Sequence, residues 1–255
     1  MSFFIDFQFI AMVTIYGMAR LFPIFIFLPY MNSQMLGGML VKNVIIIFIV
    51  IGFMPRLLAQ YPDVMDVPFA VVIIKEALIG LVCGFAMAIP FWTVLAIGEI
   101  IDNQRGATIS STMNPGIGVD ASFMATFMNF YFAAIFVIND GMTTIVKTIY
   151  ESYLIFPLNT SFKFDLNFVT SVIRLLKTLM STAIVLVGPV VITLFLIEVS
   201  IGILSRFAPQ LNAFSVALSV KSFFAFLILL IYLTPVLTPQ ILSVNVVHSF
   251  FEAMN

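Results

Sequence analysis

The chain has 255 residues, 62% hydrophobic and 9% charged, with a mean hydropathy of +1.17. A soluble domain carries about 25% charged residues, so a water-facing globular surface is excluded and a membrane protein is expected. Eleven basic and twelve acidic residues leave no nucleic-acid footprint, while one cysteine (Cys83) and one histidine (His248) leave no disulfide, His-based triad or two-His metal site. No cofactor, no metal and no enzymatic activity are therefore expected.

The N-terminus carries Asp6 and no basic leader, so no removable signal peptide is expected. Charge-free runs at 7–19, 21–41, 43–55, 77–98, 121–139, 178–197 and 222–251 then set the elements. Since a span needs about 20 apolar residues, they predict an all-α, polytopic chain with six helices near 7–30, 38–58, 68–101, 121–153, 168–205 and 212–251. Prolines at 23, 29, 90, 189, 235 and 239 fall inside these runs. Each removes a backbone donor and crowds the turn before it, which predicts kinked helices and helical hairpins. The positive-inside rule gives no orientation. Arg56, Lys147, Lys163, Arg174 and Lys177 fall on one side and Arg20, Lys42, Arg105 and Arg206 on the other.

Between the third and fourth helices the stretch Gly98–Gly106 sets Glu99, Asp102, Asn103, Gln104 and Arg105 after an apolar run. Glu99, Asp102 and Arg105 share a helix face at a spacing of three. Asp102 and Arg105 are expected to pair, leaving Glu99 to seek Arg206 or Lys221, because an unpaired buried carboxylate is costly. The residues leave two readings open, a solvated helix end or an interior cluster that locks helices together. The following segment, 107–120, holds Ser110, Ser111, Met113, Asn114, Pro115, Gly116, Ile117 and Gly118, and its Asn-Pro-Gly reads as a turn. It is either a surface loop or a re-entrant segment lining a pore. Farther on, 140–177 holds seven charges, and Pro157–Ser161 reads as an exposed turn. Arg206, Pro209, Gln210 and Asn212 then interrupt a long apolar stretch at a tight corner between two helices. A weak echo, Pro90 with Glu99 and Pro189 with Glu198, leaves room for a repeat.

Two of these stretches, "GEIIDNQRGA" at 98–107 and "LSRFAPQLNAFSVALSVK" at 204–221, resemble the signature segments of the type III secretion export-apparatus family. That family comprises the injectisome T component (SpaR type) and the flagellar FliR protein. "RLFPIFIFLPYMN" at 20–32 and "VGPVVITLFLIEVSIGILSRFAPQLN" at 187–212 extend the similarity to a single domain over 1–255, and "IDNQRGAT" favours the injectisome branch. The resemblance implies a structural and gating subunit of the bacterial inner-membrane export gate, a conduit for unfolded secreted proteins. One copy is implied, in a helical cone with the R and S components, partly above the membrane plane on the periplasmic side. The U switch protein and the V export-gate protein are implied as further partners, and a separate ATPase and the proton-motive force as energy sources. The loop from Gly106 to about Phe123 is implied as a plug. Glu99, Asp102, Asn103, Gln104, Arg105, Glu198, Arg206, Pro209, Gln210, Asn212 and Lys221 are expected as buried polar or assembly residues. The alternative is a self-contained transporter or channel using Glu99, Asp102 and Glu198 as coupling carboxylates.

Overall fold

A computed structural model describes residues 2–31, 36–64, 67–107, 122–159, 166–208, 210 and 212–242. The described residues are helical, without strands: α1 (Ser2–Phe27), α2 (Met39–Gln60), α3 (Phe69–Arg105), α4 (Phe123–Ile138), α5 (Gly141–Ile155), α6 (Leu166–Phe207) and α7 (Ala213–Tyr232). The π turn Leu233–Leu237, which contains Pro235, carries α7 into the short helix Thr238–Leu242. Five stretches have the length and hydropathy to cross a membrane, or six if α4 and α5 count as one broken span.

The helix ends follow local chemistry. Gly37 and Gly38 take φ of 79° and 133° before α2, in a region closed to most side chains. Gly106 (φ 80°) stops α3 and returns its N–H to Asn103 O at 3.1 Å, as a left-handed glycine commonly does at a helix C-terminus. Asn212 opens α7 by accepting from Ser215 N at 3.4 Å. Where one helix is expected over 121–153, the chain bends by 77° between α4 and α5. Asp140 there adopts φ 56°, and a Cβ on Gly141 would run into the Phe136 ring. The end of the helix expected over 212–251 lies outside the described residues beyond 242.

The chain forms two compact units. Among the described residues, the first lies within 1–89 and 136–175, and its core contains Tyr16, Leu21, Ile24, Phe25, Ile46 and Tyr153. The second takes 90–135 and 176–244 and packs around Phe91, Ile97, Met128, Leu194 and Leu229, with Phe91 edge-on to Phe132 at 4.8 Å.

Candidate functional site

The second unit builds a polar collar at the end of α3. Asp102 is buried, with 1% of its surface exposed, and its carboxylate receives three donors. Arg105 Nε donates to Oδ1 at 2.6 Å, while Ser122 Oγ and Met124 N donate to Oδ2 at 2.5 and 3.0 Å. Ser122 Oγ in turn accepts from Ala125 N at 3.1 Å and so caps α4. One carboxylate thus joins the last turn of α3 to the first turn of α4. Gly98 makes the approach possible, because a Cβ there would collide with the Met124 and Ala125 backbone. The Arg105 guanidinium lies 5.4 Å from the Phe226 ring of α7, which also meets Phe123 at 6.1 Å.

Among the described residues, only Asp102 and Lys221 of the expected polar set are buried, and Gln104 and Arg105 are partly so. Glu99, Asn103, Glu198, Arg206, Gln210 and Asn212 are exposed. Lys221 Nζ reaches Glu198 Oε2 at 3.2 Å rather than Glu99. Neither Glu99 nor Arg206 forms an ion pair among the described residues. Of the plug-loop residues, Gly106 ends α3. Ser110, Ser111, Met113, Asn114, Pro115, Gly116, Ile117 and Gly118 lie outside the described residues, as does Pro209.

The first unit holds an ionic hub that sequence reasoning missed. Arg20, fully buried in α1, donates from Nε to Glu76 Oε2 at 2.6 Å, from Nη1 to Ser152 Oγ at 3.3 Å and from Nη2 to Phe156 O at 2.7 Å. Its guanidinium also stacks 3.9 Å from the Tyr153 ring centroid. Lys75 lies 3.2 Å from Glu76 Oε1 and donates to Pro157 O and Leu158 O at 3.3 and 2.5 Å, while Leu158 N donates to Gln60 Oε1 at 3.1 Å. Two cations therefore share one carboxylate, and the carbonyls after α5 take the remaining donors, where a helix C-terminus favours positive charge. Of the exposed turn expected over 157–161, residues 160 and 161 lie outside the described residues; a turn does form at Leu158 and Asn159 and Asn159 is exposed, but Leu158 is buried and the Pro157 and Leu158 carbonyls accept from Lys75.

The hub also explains why counting loop charges gave no orientation. Arg20 lies within α1, and Lys42 is buried in α2 with its ammonium 5.3 Å from the Phe22 ring, so neither is a loop charge. A signal for the hub was present in the sequence. Gly80 and Gly84 form a small-x-x-x-small pair in an apolar run. A Cβ on Gly80 would collide with the Arg20 carbonyl, and one on Gly84 would sit 2.7 Å from Ile24 Cα. The two glycines let α3 approach α1 closely enough for Glu76 to reach Arg20.

A profile of the family described as "Bacterial export proteins, family 1" matches residues 11–244. The chain belongs to this export family. The surface presentation of antigens protein SpaR of Salmonella typhimurium is 42% identical over 233 residues, covering 90% of this chain and 86% of that protein. The Yop proteins translocation protein T of Yersinia pestis is 33% identical over 215 residues (84% and 82%). The flagellar biosynthetic protein FliR of Buchnera aphidicola subsp. Baizongia pistaciae is 26% identical over 219 residues (85% and 83%). The chain is accordingly a T-type subunit of the type III secretion export apparatus, a multi-pass membrane component of a multi-subunit secretion complex. In this chain Asp102 and Arg105 of the collar fall in the "IDNQRG" stretch.

Proposed function

We propose that the chain acts as one functional domain, a structural and gating subunit of the export gate in the bacterial inner membrane. One copy joins the R and S components in a helical cone that stands partly on the periplasmic side, with the U switch protein and the V export-gate protein as further partners. Unfolded secreted proteins pass through the conduit, and energy comes from other subunits rather than from catalysis by this chain. The segment from Gly106 to Phe123 serves as the plug, with Met113, Asn114, Pro115, Gly116 and Ile117 at its tip and Ser110, Ser111 and Gly118 along its flanks.

The collar is the observation that supports the plug. Asp102 binds the first turn of α4 directly, so the segment leaves α3 and rejoins α4 at one buried anchor. A loop with both ends fixed in this way is able to change shape without loosening the helices that carry it. Nothing among the relatives points to a self-contained transporter. Two measurements test the reading. Native mass spectrometry of the chain expressed with its operon neighbours should find one copy held with several small hydrophobic subunits. Deleting 110–118 should preserve that complex while making the membrane leaky to ions; an intact complex with no leak removes the plug role.

A further inference from the structure

The π turn Leu233–Leu237 interrupts the hydrogen-bond ladder of the apolar stretch Ala213–Leu242. Thr238 N–H donates to Leu233 O, five residues back instead of the four of an α-helix. Two prolines make the ladder soft at this point. Pro235 and Pro239 carry no N–H, so between them only Val236, Leu237 and Thr238 can donate from the backbone. Each of the three finds a carbonyl four residues back in the α register and five back in the π register. Moving between registers therefore exchanges bonds one for one, and the side chains decide.

Two side-chain effects select the π register. Leu229, Leu233, Leu237 and Ile241 are all buried. On an unbroken α-helix Ile241 would lie about 120° around the axis from Leu229. The extra residue of the π turn cuts that to about 20° and keeps the four on one face. Relaxing to the α register would turn Ile241 out and bring the exposed Gln240 into its place. The second effect is a latch. Thr238 Oγ1 donates to Leu233 O at 3.0 Å, which spends its proton, so the Tyr131 hydroxyl at 3.1 Å is the donor to Oγ1. Tyr131 belongs to α4, whose first turn is held by Asp102 of α3 through Ser122 and Met124. The π turn holds the same helix about 12 Å farther along.

We propose that the π turn is a two-state joint, latched by Tyr131, that ties the position of α4 to the register of the helix after α7. Drawing α4 away breaks the Tyr131–Thr238 bond and frees the turn to relax to the α register, which rotates Thr238–Leu242 by about 100°. Coupling of this kind is reciprocal, so fixing the turn in one register also holds α4 in place. That the motion serves export rests on the gating role proposed above.

The test uses the assembled complex and amide hydrogen exchange. Tyr131→Phe keeps the ring and removes the latch, so exchange over 236–242 should speed up about fivefold, the effect of one lost hydrogen bond, with α7 upstream unchanged. Deleting Val236 removes the extra residue and leaves a regular α turn with Thr238 still bonded to Leu233. That variant should assemble normally and exchange at least fivefold more slowly at Leu237 and Thr238. Unchanged exchange in Tyr131→Phe means that the bond does not hold the turn, and acceleration spread evenly along α4 and α7 means ordinary destabilisation; either result overturns the proposal. Failure of the Val236 deletion to assemble overturns it as well, because a joint of this kind leaves the downstream helix in place. The link to gating is read separately, with the 110–118 deletion as control. Where that control leaks ions, Tyr131→Phe should raise the leak about fivefold and the Val236 deletion should stop secretion; if both variants are silent, the link is overturned. A control that does not leak means that the gating role has failed, and hydrogen exchange alone then decides the joint.

Discussion

Replacing Glu76 by Gln tests the ionic hub while keeping the shape of the side chain. Arg20 has no solvent contact, and its Nε sits 2.6 Å from Glu76 Oε2. At an effective dielectric of about 20, that attraction is about 6 kcal/mol. Desolvating the ions offsets much of it, but removing one partner leaves the other buried and uncompensated, at a cost of about 3–5 kcal/mol. In Glu76→Gln two cations, Arg20 and Lys75, would face an amide. At about 2–4 °C per kcal/mol for a chain of this size, the transition should fall by roughly 6–20 °C. Cys83 is a built-in reporter, since it is buried in α3 beside Gly84 and is the chain's sole cysteine. A thiol-reactive dye on the detergent-solubilised complex should therefore report the loss of α1–α3 packing on heating. The double variant Arg20→Met with Glu76→Met removes both charges at similar volume and should cost less than either single change, because apolar replacement of a buried pair is often nearly neutral. If the two single effects simply add, or Glu76→Gln leaves the transition in place, Arg20 does not depend on this carboxylate and the hub is not what holds the helices.

Gly80→Ala should lower the same transition through a backbone clash with Arg20, by about 1–3 kcal/mol for overpacking. Gly202→Ala, with nothing within 4 Å of its new methyl group, should be neutral in that assay or gain up to about 1 kcal/mol. Asp102→Ala strands three donors and should make the α3–α4 connection sensitive to limited proteolysis in the assembled complex, whereas Ser122→Ala removes a helix cap and should cost about 1 kcal/mol. Lys221→Glu opposite Glu198 should reduce recovery of the chain from membranes, and adding Glu198→Lys should restore it; no rescue would mean the 3.2 Å pair contributes nothing to α6–α7 pairing.

The composition and the charge-free runs were enough to establish an all-helical membrane chain. Backbone groups in lipid must be satisfied within the segment, and an uninterrupted apolar helix achieves that from local sequence alone. The family was legible too, from contiguous words such as "IDNQRGA". Local spacing also foretold that Asp102 and Arg105 meet, since i and i+3 share a helix face. Only the tertiary structure decided which distant groups come together. Arg20 finds Glu76, 56 residues away, because Gly80 and Gly84 bring two helix axes close, and Lys221 takes Glu198 rather than Glu99 because α7 lies along α6 there. In a chain this poor in charge, the cost of burying each ion is large and nearly the same wherever it is buried. The helix packing therefore determines the pairing, and a linear sequence does not record that packing.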